Sequence, residues 1–237
     1  MGKVITIKNN KGGVGKSWLT LQLAHIIALI LEDKKVLILT SDSQNNILLY
    51  ANVSVPVISG LEDHVLKGDG DIISLRENLY YIPLIKNNFT KKFREKLRIT
   101  IDEFKKEYDY ILIDSVPVLN IDQDFVELSD KVVIPTFLDA ATTEGITKLM
   151  GEIDIDKIAA IVPNRYTKTK VEQEWYEDIA KIVAETNIYL SEPIKQSAVI
   201  TELIQKGKTI LETQSKKAIE FQDIIGEIAG VILREEK

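Results

Sequence analysis

The sequence predicts an α/β protein built on an open, doubly wound and mainly parallel central sheet with helices on both faces. Three observations carry this prediction. Short β-branched runs alternate along the chain with segments of helical periodicity. Within the runs the apolar residues are continuous rather than alternating, the pattern of parallel strands covered on both faces. A glycine-rich turn joins the first run to the first helical segment, which is the grammar of a βαβ unit.

Taken in order, the strands are expected at "KVITIKN" from Lys3, "KVLILTS" from Lys35, "LYYIPL" from Leu79, "YDYILIDS" from Tyr108, "KVVIPTF" from Lys131 and "KIAAIVPN" from Lys157. The first helix follows the glycines, with Leu19, Leu23, Ile26, Ile27 and Ile30 at helical spacing. "TKKFREKLRITIDEFKKE", from Thr90, reads as a longer and more charged amphipathic helix. At the C-terminal end, "KKAIEFQDIIGEIAGVILREEK" sets Phe221, Ile224, Ile225, Ile228 and Ile232 on one stripe, a helix that docks on the sheet. A membrane-surface helix would carry Lys and Arg on its polar face, whereas Glu and Asp dominate this one. "KGDGDI" is turn-rich but short, and no repeat or linker marks a boundary, so residues 1–237 read as one domain.

Composition narrows the function. A chain of 237 residues, 45% hydrophobic and 28% charged, can bury about 70–75% of its unfolded surface in one core. Cys is absent, which excludes a disulfide framework, a Cys-based zinc site and a cysteine-ligated iron–sulfur cluster, and suits a reducing cytoplasm. The N-terminus "MGKVITIKNN" runs straight into a strand and does not resemble a signal peptide. "LAHIIALIL" is too short to span a bilayer and contains His25, so a soluble, cytoplasmic protein without a stable membrane anchor is expected. A net charge of −6 argues against constitutive nucleic-acid binding, which draws on clustered Lys and Arg.

The densest chemistry lies in "KNNKGGVGKSWLT", Lys8 to Thr20. Between a strand and a helix, Lys11-Gly12-Gly13-Val14-Gly15-Lys16-Ser17 reads as a phosphate loop. Its glycines let backbone N–H groups curl around phosphates, and the helix adds the positive end of its dipole. Lys16 is placed to reach the β- and γ-phosphates, and the Ser17 hydroxyl to coordinate Mg²⁺. Asp114, ending the strand of "YDYILIDSVP", is the matching acidic residue, expected to hold Mg²⁺ through a water. The strict motif would start with glycine where Asn10 stands, and it has no counterpart of Lys11.

"KGGVGKS", "TSDSQNN" and "YDYILIDSVP" together resemble the ParA/MinD family of deviant Walker A ATPases, over essentially the whole chain. The resemblance implies ATP and Mg²⁺ as ligands and an ATP-dependent homodimer. In it Lys11 crosses to the nucleotide of the other subunit and acts on its phosphates, a role comparable to an arginine finger. The resemblance also implies that Asp42 orients the attacking water, that the Trp18 backbone N–H touches the α-phosphate, and that Asn164 and Arg165 of "IVPNRY" read and stack on adenine. "SEPIKQS", from Ser191, is a second candidate for the adenine pocket. The family usually has two aspartates separated by one residue, then Pro-Gln-Gly-Asn; here Thr40, Ser43 and Asn45 replace the first aspartate, the proline and the glycine.

Within the family, iron–sulfur scaffold and nitrogenase reductase-like members need cysteines that are absent here. MinD-like members end in a basic membrane-targeting helix, unlike the acidic "REEK" end. The remaining resemblance is to a small ParA-type partition ATPase without an N-terminal helix-turn-helix arm. It implies nonspecific DNA binding in the ATP state, nucleoid association, slow hydrolysis and a ParB-like centromere-binding partner. Gln196 and Val199 stand where many relatives carry arginines, leaving Lys195, Lys206, Lys208, Lys216 and Lys217, with the basic run at 91–98, as DNA-binding candidates. The alternative is a MinD-like positioning or regulatory switch that docks a protein or membrane partner and leaves DNA alone; a small-molecule kinase or ligase is a third possibility. His25 and His64 form no recognisable triad, and Asp122, Asp124, Glu127 and Asp130 are expected to begin and flank a helix.

Overall fold

A computed structural model of the chain describes residues 1–117 and 121–234; Glu235 to Lys237 of the acidic end lie outside the described residues. In chain order the elements are β1 (Lys3–Ile7), α1 (Lys16–Ile30), β2 (Val36–Thr40), α2 (Asn46–Ala51), α3 (Leu61–Lys67), β3 (Ile73–Arg76), β4 (Leu79–Ile82), α4 (Lys91–Glu107) and β5 (Tyr110–Asp114). They continue with α5 (Ile121–Leu128), β6 (Lys131–Thr136), α6 (Ala140–Glu152), β7 (Ile158–Tyr166), α7 (Lys170–Val183), β8 (Tyr189–Leu190), β9 (Ile194–Lys195), α8 (Ala198–Gln205) and α9 (Lys216–Leu233).

The strands form one sheet in the order β3-β4-β2-β5-β1-β6-β7-β8, and β9 pairs with β7. Every pairing is parallel except β3 with β4. All six expected strands are present. Burial explains their continuous apolar runs: Ile38, Leu112 and Val133 pack into the core under α1 and α9, while Leu37, Leu39, Ile111 and Ile113 pack under α3, α4 and α5. Alternate side chains thus enter two cores rather than core and solvent. Three further strands escaped the pattern. β8 and β9 have two residues each, and β3 is an antiparallel edge strand joined to β4 by a turn in which Asn78 takes φ 56°.

Apart from half-buried Ser17, helix α1 is buried from Lys16 to Ala28, held between the sheet and α9. Its buried polar side chains are paired: Gln22 accepts the Ile210 N–H at 2.9 Å, and His25 Nδ1 meets the Thr209 hydroxyl at 2.8 Å. His25 is therefore a structural tie to the turn before α9, and burial lowers its pKa. The apolar stripe stops short of its expected end, since Ile30 is 54% exposed where the last turn runs past the packed residues. In α9, Phe221, Ile224, Ile225, Ile228 and Ile232 are all buried as expected, each worth about 1.5–3 kcal/mol of apolar burial. Among the described residues no helix is long and apolar enough to cross a membrane.

Candidate functional site

Because the central strands are parallel, their carboxyl ends share one sheet edge, and the segments that leave them meet there. β1 runs into the glycine loop, β2 ends at Thr40 before Asp42, β5 ends at Asp114, β6 leads to Asp139 and β7 carries Asn164 and Arg165. Register places Asp114 beside both Ile7 and Thr40. The chain winds outward from β1 in both directions, so this edge holds the crevice in which open α/β sheets bind ligands.

The loop is held open by its surroundings. Gly13 and Gly15 take φ 76° and 96°, in the left-handed region where other residues are strained. At Gly15 a Cβ would also lie 2.3 Å from Asn164 Nδ2, which donates to the Val14 carbonyl at 2.8 Å. Asn10, in contrast, does not adopt a positive φ, so its position does not require the motif's glycine. Buried Asn9 donates to the Pro135 carbonyl at 2.7 Å and accepts the Lys11 N–H at 2.8 Å. Lys16 Nζ donates to the carbonyls of Asn9 and Lys11 at 3.1 and 3.0 Å. Gly15 caps α1 without a side-chain acceptor, leaving the first-turn N–H groups for an anion.

Acidic groups stand opposite. Asp114 is buried, and its Oδ1 has no hydrogen-bond partner. Burial pushes its carboxyl up to about 6, while the Ser17 hydroxyl and the Lys16 charge pull it back. Burial lowers the Lys16 pKa, against Asp114 and Asp42, which raise it. An orphaned buried carboxylate oxygen beside a hydroxyl fits a hard divalent cation that takes one or two protein ligands and completes its shell with water and phosphate. Among the described residues no group of three or more His, Cys, Asp or Glu side chains is placed to hold a metal ion by itself. Asp42 is held by the Gln44 N–H at 2.9 Å and by Asn46 Nδ2 at 3.1 Å. Thr40, in place of the family's first aspartate, accepts the Asp42 N–H at 2.9 Å and donates to the Asp114 carbonyl at 3.4 Å. Asn45, in place of the family's glycine, takes φ 50°, a conformation that Asn tolerates better than most residues.

The raised carboxyl gives a pH prediction for the nucleotide-free protein. With the folded pKa near 6 and the ordinary value 3.8, the folded chain binds more protons between about pH 4 and 6. Stability should therefore fall as pH rises through that window and level off above it, a change on the order of 3 kcal/mol. Asp114→Asn should flatten this slope and raise Tm at pH 7.5 by several degrees, while weakening Mg²⁺-dependent nucleotide binding. Thermal melts from pH 4.5 to 8 check it; an unchanged slope in the variant would remove Asp114 as its source.

Lys11 Nζ pairs with Asp139 at 2.8 Å and lies 5.3 Å from the centroid of the Phe137 ring. Arg165, with φ 58°, has its guanidinium 5.7 Å from the same ring, and its N–H is accepted by Asn164 Oδ1 at 2.9 Å. Asp139 also caps α6 by accepting the Thr142 N–H at 2.8 Å. Burial pushes its carboxyl up, but Lys11 and Thr142 outweigh this and hold it below its ordinary value. An open cleft of about 620 Å³ runs from Gly12, Lys16 and Asp42 past Trp18 and Asn164 to Gln196, Ser197 and Ile200. Both candidate base-contacting segments, "IVPNRY" and "SEPIKQS", therefore border one cleft. The buried Trp18 indole packs in the α1 core and reaches this cleft as well.

Three of the five C-terminal lysines lie beside acids. Lys195 pairs with Glu220, and Lys206 lies 4.0 Å from Glu202. A second groove, of about 660 Å³, brings Lys195 and Lys216 among Glu192, Glu220, Asp223 and Glu227. Of the acidic cluster, Asp122 and Asp124 begin α5; Asp122 pairs with Lys8, Asp124 with Arg94, and Asp130 accepts the Val4 N–H at 2.7 Å. Sequence reading missed Asn9, Asn46, Phe137 and Asp139. Asn46, four residues after Asp42, carried the only local signal.

A strand–glycine loop–helix unit with a buried lysine, a serine and a facing strand-end carboxylate defines a P-loop nucleotide-binding protein. Residues 2–164 match the family described as "AAA domain". The chain is 30% identical to the sporulation initiation inhibitor protein Soj of Bacillus subtilis over 167 residues, 65% of each protein. It is 28% identical to the chromosome partitioning protein ParA of Myxococcus xanthus over 173 residues, 66% of this chain and 60% of that protein. These matches span slightly less than two thirds of either relative. The crystal structure of the cell division ATPase MinD of Pyrococcus furiosus superposes with TM-score 0.73 at 25% identity, covering 98% of both chains. The chain belongs to the ParA/MinD family of P-loop ATPases.

Proposed function

We propose that the chain is a partition ATPase that binds Mg²⁺-ATP, dimerises around it, holds nonspecific DNA in that state and lets go after slow hydrolysis stimulated by a ParB-like partner. The observation that carries this reading is the meeting of Lys11, Lys16, Ser17, Asp42 and Asp114 at one sheet edge. The N–H groups of Gly12 to Ser17 cradle the phosphates, with that of Trp18 on the α-phosphate, and Lys16 turns from its own loop carbonyls to the β- and γ-oxygens. Ser17 and Asp114 would hold Mg²⁺, which would supply positive charge to neutralise the phosphates. Asp42, steadied by Gln44 and Asn46, accepts a hydrogen bond from the attacking water. Lys11 leaves Asp139 for the partner subunit's nucleotide, and Asn164 and Arg165 face the base. Similarity to Soj and ParA supports the partition branch.

The acidic groove beside α9 favours a second reading, a regulatory switch whose ATP dimer docks a protein partner and leaves DNA alone. Fluorescence anisotropy of a random-sequence duplex at low salt, with ATP, ADP or no nucleotide, separates the two. Binding with ATP only is the expected result. No binding in samples that still dimerise with ATP would reject partition and favour the switch.

A further inference from the structure

Residues 86–98 carry six cations, Lys86, Lys91, Lys92, Arg94, Lys96 and Arg98, against one acid, Glu95. In a chain of net charge −6 this reverses the average, whereas residues 198–233 carry four lysines and five acids. The run leads into and begins α4, directly after the parallel strand β4, so it lies at the sheet edge that carries the glycine loop. Arg94 is committed to Asp124, and Lys91 is 3.8 Å from Glu95. Lys86, Lys92 and Arg98 are exposed and have no carboxylate partner among the described residues.

The apolar side of α4 is already spent. Thr90 caps the helix by accepting the Phe93 N–H at 3.2 Å, and Phe93, Leu97, Ile101 and Phe104 are buried against the sheet. What faces outward is charge, with Ile99 the exposed apolar residue within the helix. Such a face has little to insert into a membrane and suits a phosphate backbone held by charge alone.

This face is also wired to the cleft. Asn45, whose N–H is accepted by the Asp42 carbonyl at 3.1 Å, donates through Nδ2 to the Leu84 carbonyl at 2.7 Å. Its Oδ1 accepts the Leu84 N–H at 2.9 Å and the Tyr81 hydroxyl at 2.7 Å. On the other side, Glu62 accepts the Lys86 N–H at 2.6 Å. The turn that carries Asp42 is thus bonded to the backbone two residues before Lys86.

We propose that the face formed by Lys86, before α4, and by Lys91, Lys92, Lys96 and Arg98 on α4, rather than the C-terminal lysines, holds the DNA backbone, and that Asn45 transmits the nucleotide state of the Asp42 turn to it. This rests on the partition reading above. A dimer presents the face twice, so weak phosphate contacts add.

The test compares wild type, the triple variant Lys86→Ala, Lys91→Ala, Lys92→Ala, and the triple variant Lys208→Ala, Lys216→Ala, Lys217→Ala. Each is titrated on a random duplex with ATP across a salt series, with basal ATPase and ATP-dependent dimerisation measured alongside. The α4 triple should bind at least about tenfold more weakly, with a salt slope shallower by about 2–3 per protomer, while hydrolysis and dimerisation stay as in wild type. The C-terminal triple should lose less than about threefold. The reverse pattern would overturn the α4 placement and leave partition standing. A wild type that ignores DNA would overturn the partition reading itself, and binding to phosphatidylserine vesicles instead would identify a membrane surface. Asn45→Gly, which keeps the positive φ and deletes the bonds, should bring ATP- and ADP-state DNA affinities within about threefold of each other; an unchanged ratio would remove the link.

Discussion

Lys16→Ala is expected to weaken ATP and ADP binding by at least about 100-fold, roughly 2.7 kcal/mol. The phosphates lose the cation aimed at them from within the loop, where in the free chain Lys16 bonds the carbonyls of Asn9 and Lys11 at 3.1 and 3.0 Å. Lys16 is buried and its charge is opposed by desolvation, so the ammonium is held at a cost that only a nearby anion offsets well. Arginine should not rescue, because a planar fork cannot replace a compact ammonium in so tight a turn. Titration of a fluorescent ATP analogue reads the effect; an affinity within threefold of wild type would mean that the glycine loop is not the nucleotide site.

Lys11→Ala should divide the functions that Lys16→Ala removes together. Nucleotide affinity of the monomer should stay within about threefold, because Lys11 points away from its own loop to Asp139 and Phe137. ATP-dependent dimerisation should disappear, and hydrolysis should fall about 10³-fold, the low end of what a charge supplied in trans contributes. The pair with Asp139 is no obstacle to the movement. Its side chains are 39% and 44% exposed, so it is worth about 0–1 kcal/mol. Asp139→Asn, which keeps a cap on α6, should therefore lower the protein concentration needed for ATP dimers by up to about fivefold. Sedimentation with ATP and with ADP measures both variants. Wild-type dimerisation by Lys11→Ala would remove the trans role.

The site divides by the range of the information that specifies it. The glycine loop, Lys16, Ser17 and the strand ending at Asp114 were legible because each is a local pattern: glycines before a helix, an acid after an apolar run. Asn10 and Asn45 look like defects in that pattern until the backbone is known. Asn10 needs no positive φ, and Asn45 adopts one that asparagine tolerates. Lys195 illustrates the opposite case, a lysine that reads as a free cation and is neutralised by Glu220, 25 residues away.

By itself the sequence determined the six central strands, α1, α4, α5 and α9 among the helices that cover them, the phosphate loop and the family, because apolar periodicity and turn chemistry report backbone conformation and burial directly. The tertiary structure alone decided which groups meet. Thr40 bonds the backbone of Asp114 from 74 positions away, Lys11 reaches Asp139 across 128, and Asn45 locks to Leu84 across 39. Such pairings follow from strand order and register, which arise from packing the whole sheet between two helical layers, and no local stretch of residues encodes them.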